Sequence, residues 1–415
     1  MQYQLAAGVT LHVLPTKQFK LNYVMVNFAE PQTKVNPTAR NLLANVLETS
    51  THRFPTQTAL SRQLAKMYGT TVDMSVGRIG LDHCLRLTMS FVNDHFTATP
   101  INEDAFKVLG ELLFDPLVDD GEFDGPTFRV QLMNLRSTLA AMRDDKQLYA
   151  QAQLDRLYYD PLSPLSTPSY GTEEVLETMT AQKLAATYRD MIDHDRVDIY
   201  VLGDVDSDRI ADRLRKLPFK DRQPGPAKLF YEQPLRDHVA RQTEVQPVVQ
   251  AKLNLAYQLP VYYRQKGHFA AMVMNGMLGG TPYSKLFVNV REKESLAYYA
   301  TSRHRMFSGF LTVATGINAE NAKRVESLIN QQIQDLATGK FSDDMFNRVK
   351  ESMINQLRAA RDNAPYVLSQ SLLEDIAAVD PVDIYQRLAA VGRGDVQRMA
   401  SKLKLQAVYL LRGEN

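Results

Sequence analysis

Residues 36–51 read Asn36-Pro-Thr-Ala-Arg-Asn-Leu-Leu-Ala-Asn-Val-Leu-Glu-Thr-Ser-Thr51, and the fold turns on this stretch. Pro37 suits the first turn of a helix, where a missing N–H costs nothing, and Leu42, Leu43, Val46 and Leu47 recur at the spacing of one helical face. A helix is predicted over Pro37 to Glu48. Asn41 and Asn45 stand four apart on it and share a face, where amides hydrogen-bond neighbouring backbone. Two runs precede it, Val9 to Leu14 and Leu21 to Phe28, in which apolar and polar residues alternate as a half-buried strand requires.

The same order continues. Thr58 to Tyr68 reads as a second helix, closed by Gly69 where a left-handed cap is needed. Strands follow over Thr71 to Val76 and Leu81 to Val92, then a helix over Asn102 to Phe114. Gly125 to Tyr159 carries a long helical period, interrupted near Asp144 and Asp145. Glu173 to Glu177 and Ala181 to Ile192 are helical, Val197 to Leu202 is a strand, and Asp206 to Leu217 is a helix. From about Val245 the pattern repeats. The strand Ala251 to Tyr257, the helix His268 to Met277 and the strands Ala297 to Arg303 and Gly309 to Thr315 lead into helices over Ala319 to Leu336, Asp343 to Arg361 and Tyr366 to Ala377. Ala407 to Leu411 closes the chain as a strand. Between the halves lies a polar segment holding Pro224 and Pro226, which reads as a linker. Two copies of one element order imply an α+β protein of two homologous domains, 1–218 and 244–415, joined by a linker over 219–243.

Composition narrows the function. The chain has 415 residues, 44% hydrophobic and 23% charged, enough for two or more well-filled domains. Its 48 basic and 47 acidic residues leave a net charge of +1, and no dense Lys/Arg stripe is present to lie on nucleic acid or anionic lipid. No run reaches the roughly 18 apolar residues of a membrane span, and the first ten residues lack a basic start followed by an apolar stretch. A cytoplasmic protein with neither nucleic-acid nor membrane partners is expected. The single Cys84 agrees with a reducing compartment. It neighbours His83, but adjacent residues of a strand point to opposite faces, so Cys84 reads as a buried structural thiol and not as half of a nucleophile pair.

Several longer strings carry a family resemblance. Tyr159 to Leu176 ends in a pattern similar to P-x-x-G-T-x-E-x-L, and Ile199-Tyr-Val-Leu-Gly-Asp-Val-Asp resembles a terminal strand. Asn275-Gly-Met-Leu-Gly-Gly-Thr-Pro-Tyr-Ser-Lys-Leu-Phe-Val-Asn-Val-Arg-Glu-Lys-Glu-Ser-Leu-Ala-Tyr298 is similar to N-x-x-L-G-G-G-x-x-S-R-L-F-x-x-x-R-E-K-x-x-L-A-Y. In this order and spacing the strings resemble the insulinase and pitrilysin peptidases, above all the bacterial two-domain members, over essentially the whole chain. The resemblance implies two domains, each a mostly antiparallel sheet packed with helices, forming half of a clamshell chamber.

The departures fall where the chemistry would occur. In those peptidases the first helix bears H-x-x-E-H; in register the three places are Asn41, Ala44 and Asn45. Zinc favours imidazole, thiolate and carboxylate, so neither amide competes for it, and Ala44 cannot take a proton from water. The family's third ligand, a Glu on the long helix after a phenylalanine like Phe123, falls at Ser137 or Thr138, and no acidic residue occurs between Asp124 and Asp144. Its substrate-lining strand G-A-x-x-N-A-x-T is altered to Gly69-Thr-Thr-Val-Asp-Met-Ser-Val, with Asp73 and Met74 for Asn-Ala. The histidines His12, His52, His83, His95, His194, His238, His268 and His304 include no pair three to five apart. No helix can then present two imidazoles to one metal, and scattered surface histidines are expected.

A second-half pair survives. Arg291 and Tyr298 match an arginine and a tyrosine that hold substrate and polarise the scissile carbonyl in the family, since a guanidinium and a phenol can both donate to an oxygen gaining negative charge. The competing reading has Arg291 paired with Glu292 or Glu294 on a solvated turn and Tyr298 packed in a strand. Gly279 and Gly280 lack the spacing of a phosphate loop; they read as a tight connection, and in some relatives this loop touches incoming peptide. The resemblance thus implies a non-catalytic subunit with no metal or cofactor of its own. It would bind an extended peptide or small unfolded protein, with Gly279, Gly280, Arg291 and Tyr298 on the substrate side, for cleavage by a homologous partner that carries zinc, as in mitochondrial processing peptidase. The sequence leaves heterodimer and homodimer both open, a homodimer being the alternative for the isolated chain. Two other readings are a structural subunit, like the respiratory-complex core proteins of this fold, and an active metallopeptidase with an unconventional zinc site. The isolated, tag-free chain is predicted to hold no stoichiometric zinc and to hydrolyse no peptide. Metal analysis returning about one zinc per chain, lost together with activity on chelation, would refute this.

Overall fold

The computed structural model describes Met1–Glu414. The chain begins with strands β1 (Gln2–Ala6), β2 (Val9–Pro15) and β3 (Leu21–Pro31), helices α1 (Asn36–Leu47) and α2 (Gln57–Lys66), strands β4 (Thr71–Ile79) and β5 (Asp82–Val92), and α3 (Asn102–Phe114). A small hairpin, β6 (Val118–Asp119) and β7 (Glu122–Phe123), leads into α4 (Gly125–Asp144) and α5 (Lys146–Tyr158). Then come α6 (Glu173–Leu176), α7 (Ala181–His194), β8 (Arg196–Gly203) and α8 (Ser207–Leu214). The second half opens with β9 (Ala240–Val245), β10 (Ala251–Gln258) and α9 (His268–Asn275). Two π-helical segments, Gly276–Gly280 and Leu286–Lys293, precede β11 (Ala297–Arg305) and β12 (Phe310–Ile317). Helices α10 (Ala322–Ala337), α11 (Asp343–Ala360), α12 (Ala364–Ile376), α13 (Ile384–Ala389) and α14 (Arg393–Ala400) come before the closing strand β13 (Lys404–Arg412).

Each half builds its sheet by the same rule. The first sheet runs β1-β2-β8-β3-β5-β4 and the second β11-β12-β10-β13-β9. In each, the last strand of its half lies inside the sheet, parallel to one neighbour (β8 to β2, β13 to β9) and antiparallel to the other (β8 to β3, β13 to β10). Strand alternation sets the core. Val9, Leu11 and Val13 of β2 and Val197, Ile199 and Val201 of β8 point to one side, where Leu42, Leu43, Val46 and Leu47 of α1 cover them. The second core gathers Leu253 and Leu255 of β10, Leu311 and Val313 of β12, and Met274, Met277 and Leu278.

The two compact units are not continuous stretches of chain. One comprises Met1–Ala140, Thr167–Lys228 and Arg361–Ala377, and the other Ala141–Ser166, Leu229–Ala360 and the residues from Ala378 onward. Helix α5, from the first half, packs on β10 and β13 of the second sheet, where Tyr149 donates to Glu244 at 2.9 Å and Arg305 meets Asp155 at 2.6 Å. Helix α12, from the second half, packs on β8 of the first sheet, where Tyr200 donates to Asp375 at 2.6 Å. The expected break at Asp144 and Asp145 is where this exchange starts, and the Asp145 carboxylate caps α5 through the Gln147 and Leu148 amides.

Some elements carried no sequence signal. Strand β9 begins at Ala240, inside the stretch read as linker. Its residues Arg241, Gln242, Thr243 and Glu244 are polar on both faces because it lies at a sheet edge, so no two-residue period marks it. Strand β1 is another edge, and α13 and α14 are too short for periodicity to speak.

Helix α1 is fastened by a buried charge. Arg40 is 1% exposed; its guanidinium lies 2.7 Å from Asp195, which joins α7 to β8, and 3.0 Å from Glu30 at the end of β3, and it donates to the Phe28 carbonyl. Removing one partner of such a pair leaves an uncompensated charge in the core. Arg40→Ala is therefore predicted to cost about 3–5 kcal/mol of stability, read as a lower denaturation midpoint; a loss below about 0.5 kcal/mol would mean that α1 is held by its apolar face alone.

Candidate functional site

The face of α1 that carries Asn41, Ala44 and Asn45 is held from several sides. Gly171, at φ +92°, lies so close to Thr38 that any side chain there would collide with it, and the Thr172 amide donates to the Thr38 hydroxyl at 2.9 Å. Thr172 also caps α6 through the Val175 amide. These contacts explain the Gly-Thr of the 168–176 motif: it clamps the first turn of α1. Asn41 donates its amide to the Tyr170 carbonyl at 2.9 Å, the backbone bond expected of it. Ala44 is buried at 1% exposure. The Asn45 carbonyl accepts the Thr49 hydroxyl at 2.7 Å, and Gln131 of α4 donates to that hydroxyl at 3.0 Å.

On α4, Ser137 and Thr138 are exposed, and the Thr138 hydroxyl turns back to the Asn134 carbonyl at 3.0 Å. At the places where the peptidases carry their ligands, this chain offers the amides of Asn41 and Asn45, the Ala44 methyl and the hydroxyls of Ser137 and Thr138. They do not fit a zinc ion, which needs imidazole, thiolate or carboxylate donors free to converge. Among the described residues no group of three or more His, Cys, Asp and Glu side chains is placed to hold a metal.

One acidic residue at this face escaped the sequence reading. Glu48 follows the last turn of α1, three residues after Asn45, and its carboxylate accepts the Met74 amide of β4 at 3.0 Å. Burial raises its pKa, opposed by that amide bond. The signal was available: Glu48 is the sole acidic residue between Glu30 and Asp73, and its i+3 spacing from Asn45 places it on the same side. Asp73 beside Met74 is exposed, whereas Met74 is buried.

The expectation of surface histidines is corrected in part. His12, His83, His268 and His304 are buried. His83 meets the Ser169 carbonyl at 2.9 Å, and burial, with Arg40 nearby, takes its pKa down to about 3. Burial holds His268 and His304 near 4. A histidine whose neutral ring bonds a carbonyl is comfortable in a core, which spacing alone does not reveal. Cys84 is buried, as read, and burial pushes its thiol up, away from nucleophile chemistry.

The four second-half residues all lie on or beside β11, an edge of the second sheet. Both π-helical segments pack on this strand. A Cβ on Gly279 would sit 2.6 Å from the Ser302 amide of β11, and one on Gly280 2.8 Å from the Asn275 side chain. The close approach requires glycine, in keeping with a tight connection. Tyr298 projects from β11 at 65% exposure. Arg291 is exposed, with its guanidinium 4.7 Å above the Phe287 ring. Glu294 goes instead to Arg324, at 2.6 Å, and among the described residues Arg291 forms no ion pair. Two exposed polar heads thus lie on and beside one edge strand. The π-helical geometry around Arg291 is a feature that favours functional sites and that no sequence period announced.

Comparison with known proteins agrees with this geometry. Residues 178–353 match the family model described as the peptidase M16 inactive domain. A probable inactive metalloprotease, YmfF, of Bacillus subtilis (strain 168) is 32% identical over 415 residues, spanning 98% of this chain and 96% of the relative. The chain belongs to the M16 peptidase family. This M16 chain also superposes on the crystal structure of a conserved protein from Enterococcus faecalis V583 with a TM-score of 0.96 and 37% identity, covering 100% of this chain and 98% of that one. A Helicobacter pylori protease shares the fold at a TM-score of 0.82 and 14% identity, over 99% of both chains. The insulinase and pitrilysin resemblance and the α+β fold are established, and the chain is homologous to the probable inactive M16-family metalloprotease of Bacillus subtilis. No helix among the described residues is long and apolar enough to cross a membrane.

The buried histidines carry a pH signature. In the native state His83 stays neutral to about 3 and His268 and His304 to about 4, while the unfolded chain protonates near 6.5. Unfolding then takes up protons at acid pH, so stability falls as pH drops from 6.5 toward 4, by up to about 1.4 kcal/mol per histidine per pH unit. His83→Gln should therefore lose less stability than the wild type between pH 7 and 5 in denaturant titrations; equal losses would contradict the buried neutral ring.

Proposed function

We propose that this M16 chain is the zinc-free subunit of a two-subunit cytoplasmic peptidase, binding an extended peptide or small unfolded protein for cleavage by a homologous zinc-bearing partner. The observation that carries the reading is a contrast between the halves. The first keeps the frame of the peptidase helix but fills Asn41, Ala44 and Asn45 with side chains that cannot hold metal. The second keeps Tyr298 exposed on the edge strand β11 and Arg291 exposed on the π-helical segment that packs on that strand. A purely structural subunit has no need of two exposed donors there.

In this reading the chain's own residues bind and polarise. The open sheet edges accept an extended peptide by main-chain hydrogen bonds, with side-chain neighbours adding selectivity. Arg291, steadied over Phe287 and without an ion pair among the described residues, and the Tyr298 phenol donate to a peptide oxygen as it gains negative charge. Neither group transfers a proton or attacks the substrate.

Arg291→Ala and Tyr298→Phe are predicted to lower turnover by the reconstituted complex by ~10² to 10³, the usual effect of losing one such donor, with partner affinity nearly unchanged. Cleavage is measured at saturating subunit concentration and association in parallel. Wild-type cleavage by both variants would favour the structural reading. Failure to assemble would place the two residues in packing.

A further inference from the structure

The open edge of the first sheet is already partly taken. Strand β4 is the last in its sheet, paired only with β5. In an extended strand the N–H and C=O of alternate residues point to the same side, so every second residue of β4 presents its donor to the free edge. The Met74 amide is one of these. It donates to the Glu48 carboxylate at 3.0 Å, within the range at which the carbonyl of a docked strand would accept it. By the same alternation the amides of Val72 and Val76 face outward on either side.

We propose that Glu48 is an intramolecular competitor for peptide strands at β4, occupying the acceptor position that a bound peptide's carbonyl must take. The proposal rests on the reading of this chain as a peptide-binding subunit and adds the residue that sets how readily its first sheet accepts a strand. Glu48 suits the role because it follows the last turn of α1, and α1 packs along β4, so the carboxylate is aimed at the edge by the helix that Arg40 anchors. It forms no ion pair among the described residues, so its bond to Met74 is its main fastening. Asp73, exposed beside Met74, adds a second negative charge that repels the carboxylate and limits how tightly it holds. An ionised acceptor bonds an amide about twice as strongly as a peptide carbonyl does, so a strand binding here must offset the loss of that bond. Long open edges are commonly guarded, and a removable carboxylate guards one without closing it permanently.

The test is binding of a fluorescein-labelled extended peptide of alternating valine and serine to the full chain, with amide hydrogen exchange on the same samples. Glu48→Ala is predicted to bind about tenfold more tightly than the wild type, the worth of one charge-assisted hydrogen bond, and Glu48→Gln to fall between them. Added peptide should slow exchange at Val72, Met74 and Val76. Equal affinity for the wild type and Glu48→Ala overturns the proposal. So does tighter binding with protection elsewhere, or no binding by either variant. Should Glu48→Ala fail to fold, the isosteric Glu48→Gln carries the test with the same criteria. Cleavage by the reconstituted complex is read separately, so a failure here leaves the subunit assignment to its own assay.

Discussion

A single buried guanidinium sets the arrangement of the first unit. Arg40 joins α1 to β3 through Glu30 and the Phe28 carbonyl, and to the α7–β8 junction through Asp195 at 2.7 Å. Apolar burial alone would let α1 rotate or slide, because hydrophobic contact is not directional. A buried ion pair with a fixed fork of donors is directional, and it permits one orientation. Given that orientation, Asn41 meets the Tyr170 carbonyl, Ala44 turns into the core, and Glu48 reaches the edge of β4. The peptidase frame is thereby kept although the residues that would use it are absent.

The helix exchange acts at a larger scale. Each sheet has one face in its core and another covered in part by a helix from the other half of the sequence, α12 on the first sheet and α5 on the second. The pinning contacts are polar, with Tyr200 to Asp375 in one unit and Tyr149 to Glu244 in the other. A chain threaded this way does not divide at a single linker, so segments far apart in sequence must fold together. The fold's repeat therefore lies in sheet topology, with a late strand inserted inside the sheet of each half, more than in any local similarity.

Much of this was legible in the sequence because it rests on local rules. Alternation found β2, β3, β5, β8, β10 and β12, the helical period found α1, α3, α10 and α11, and the Asp144–Asp145 signal found the break between α4 and α5. What stayed hidden had no local rule to announce it. Polar edge strands such as β9 lack a buried face, short helices such as α13 lack a period, and the destination of α5 and α12 depends on tertiary contacts. At the candidate site the missing ligands and the Arg291–Tyr298 pair were visible as motif positions. The Glu48–Met74 bond and the burial of His12, His83, His268 and His304 were not, since each depends on which backbone group lies nearby in space.

The central claim is that this chain completes an enzyme it cannot form alone. A titration tests it most directly: a homologous M16 chain with an intact H-x-x-E-H helix is held fixed, this chain is added in steps, and peptide cleavage and bound zinc are followed together. Cleavage is expected to rise with each addition and level off at one chain per partner, with zinc constant at one per pair and lost only from the partner. Cleavage by the zinc-bearing chain that is unchanged across the titration, or cleavage by this chain on its own, would contradict the claim.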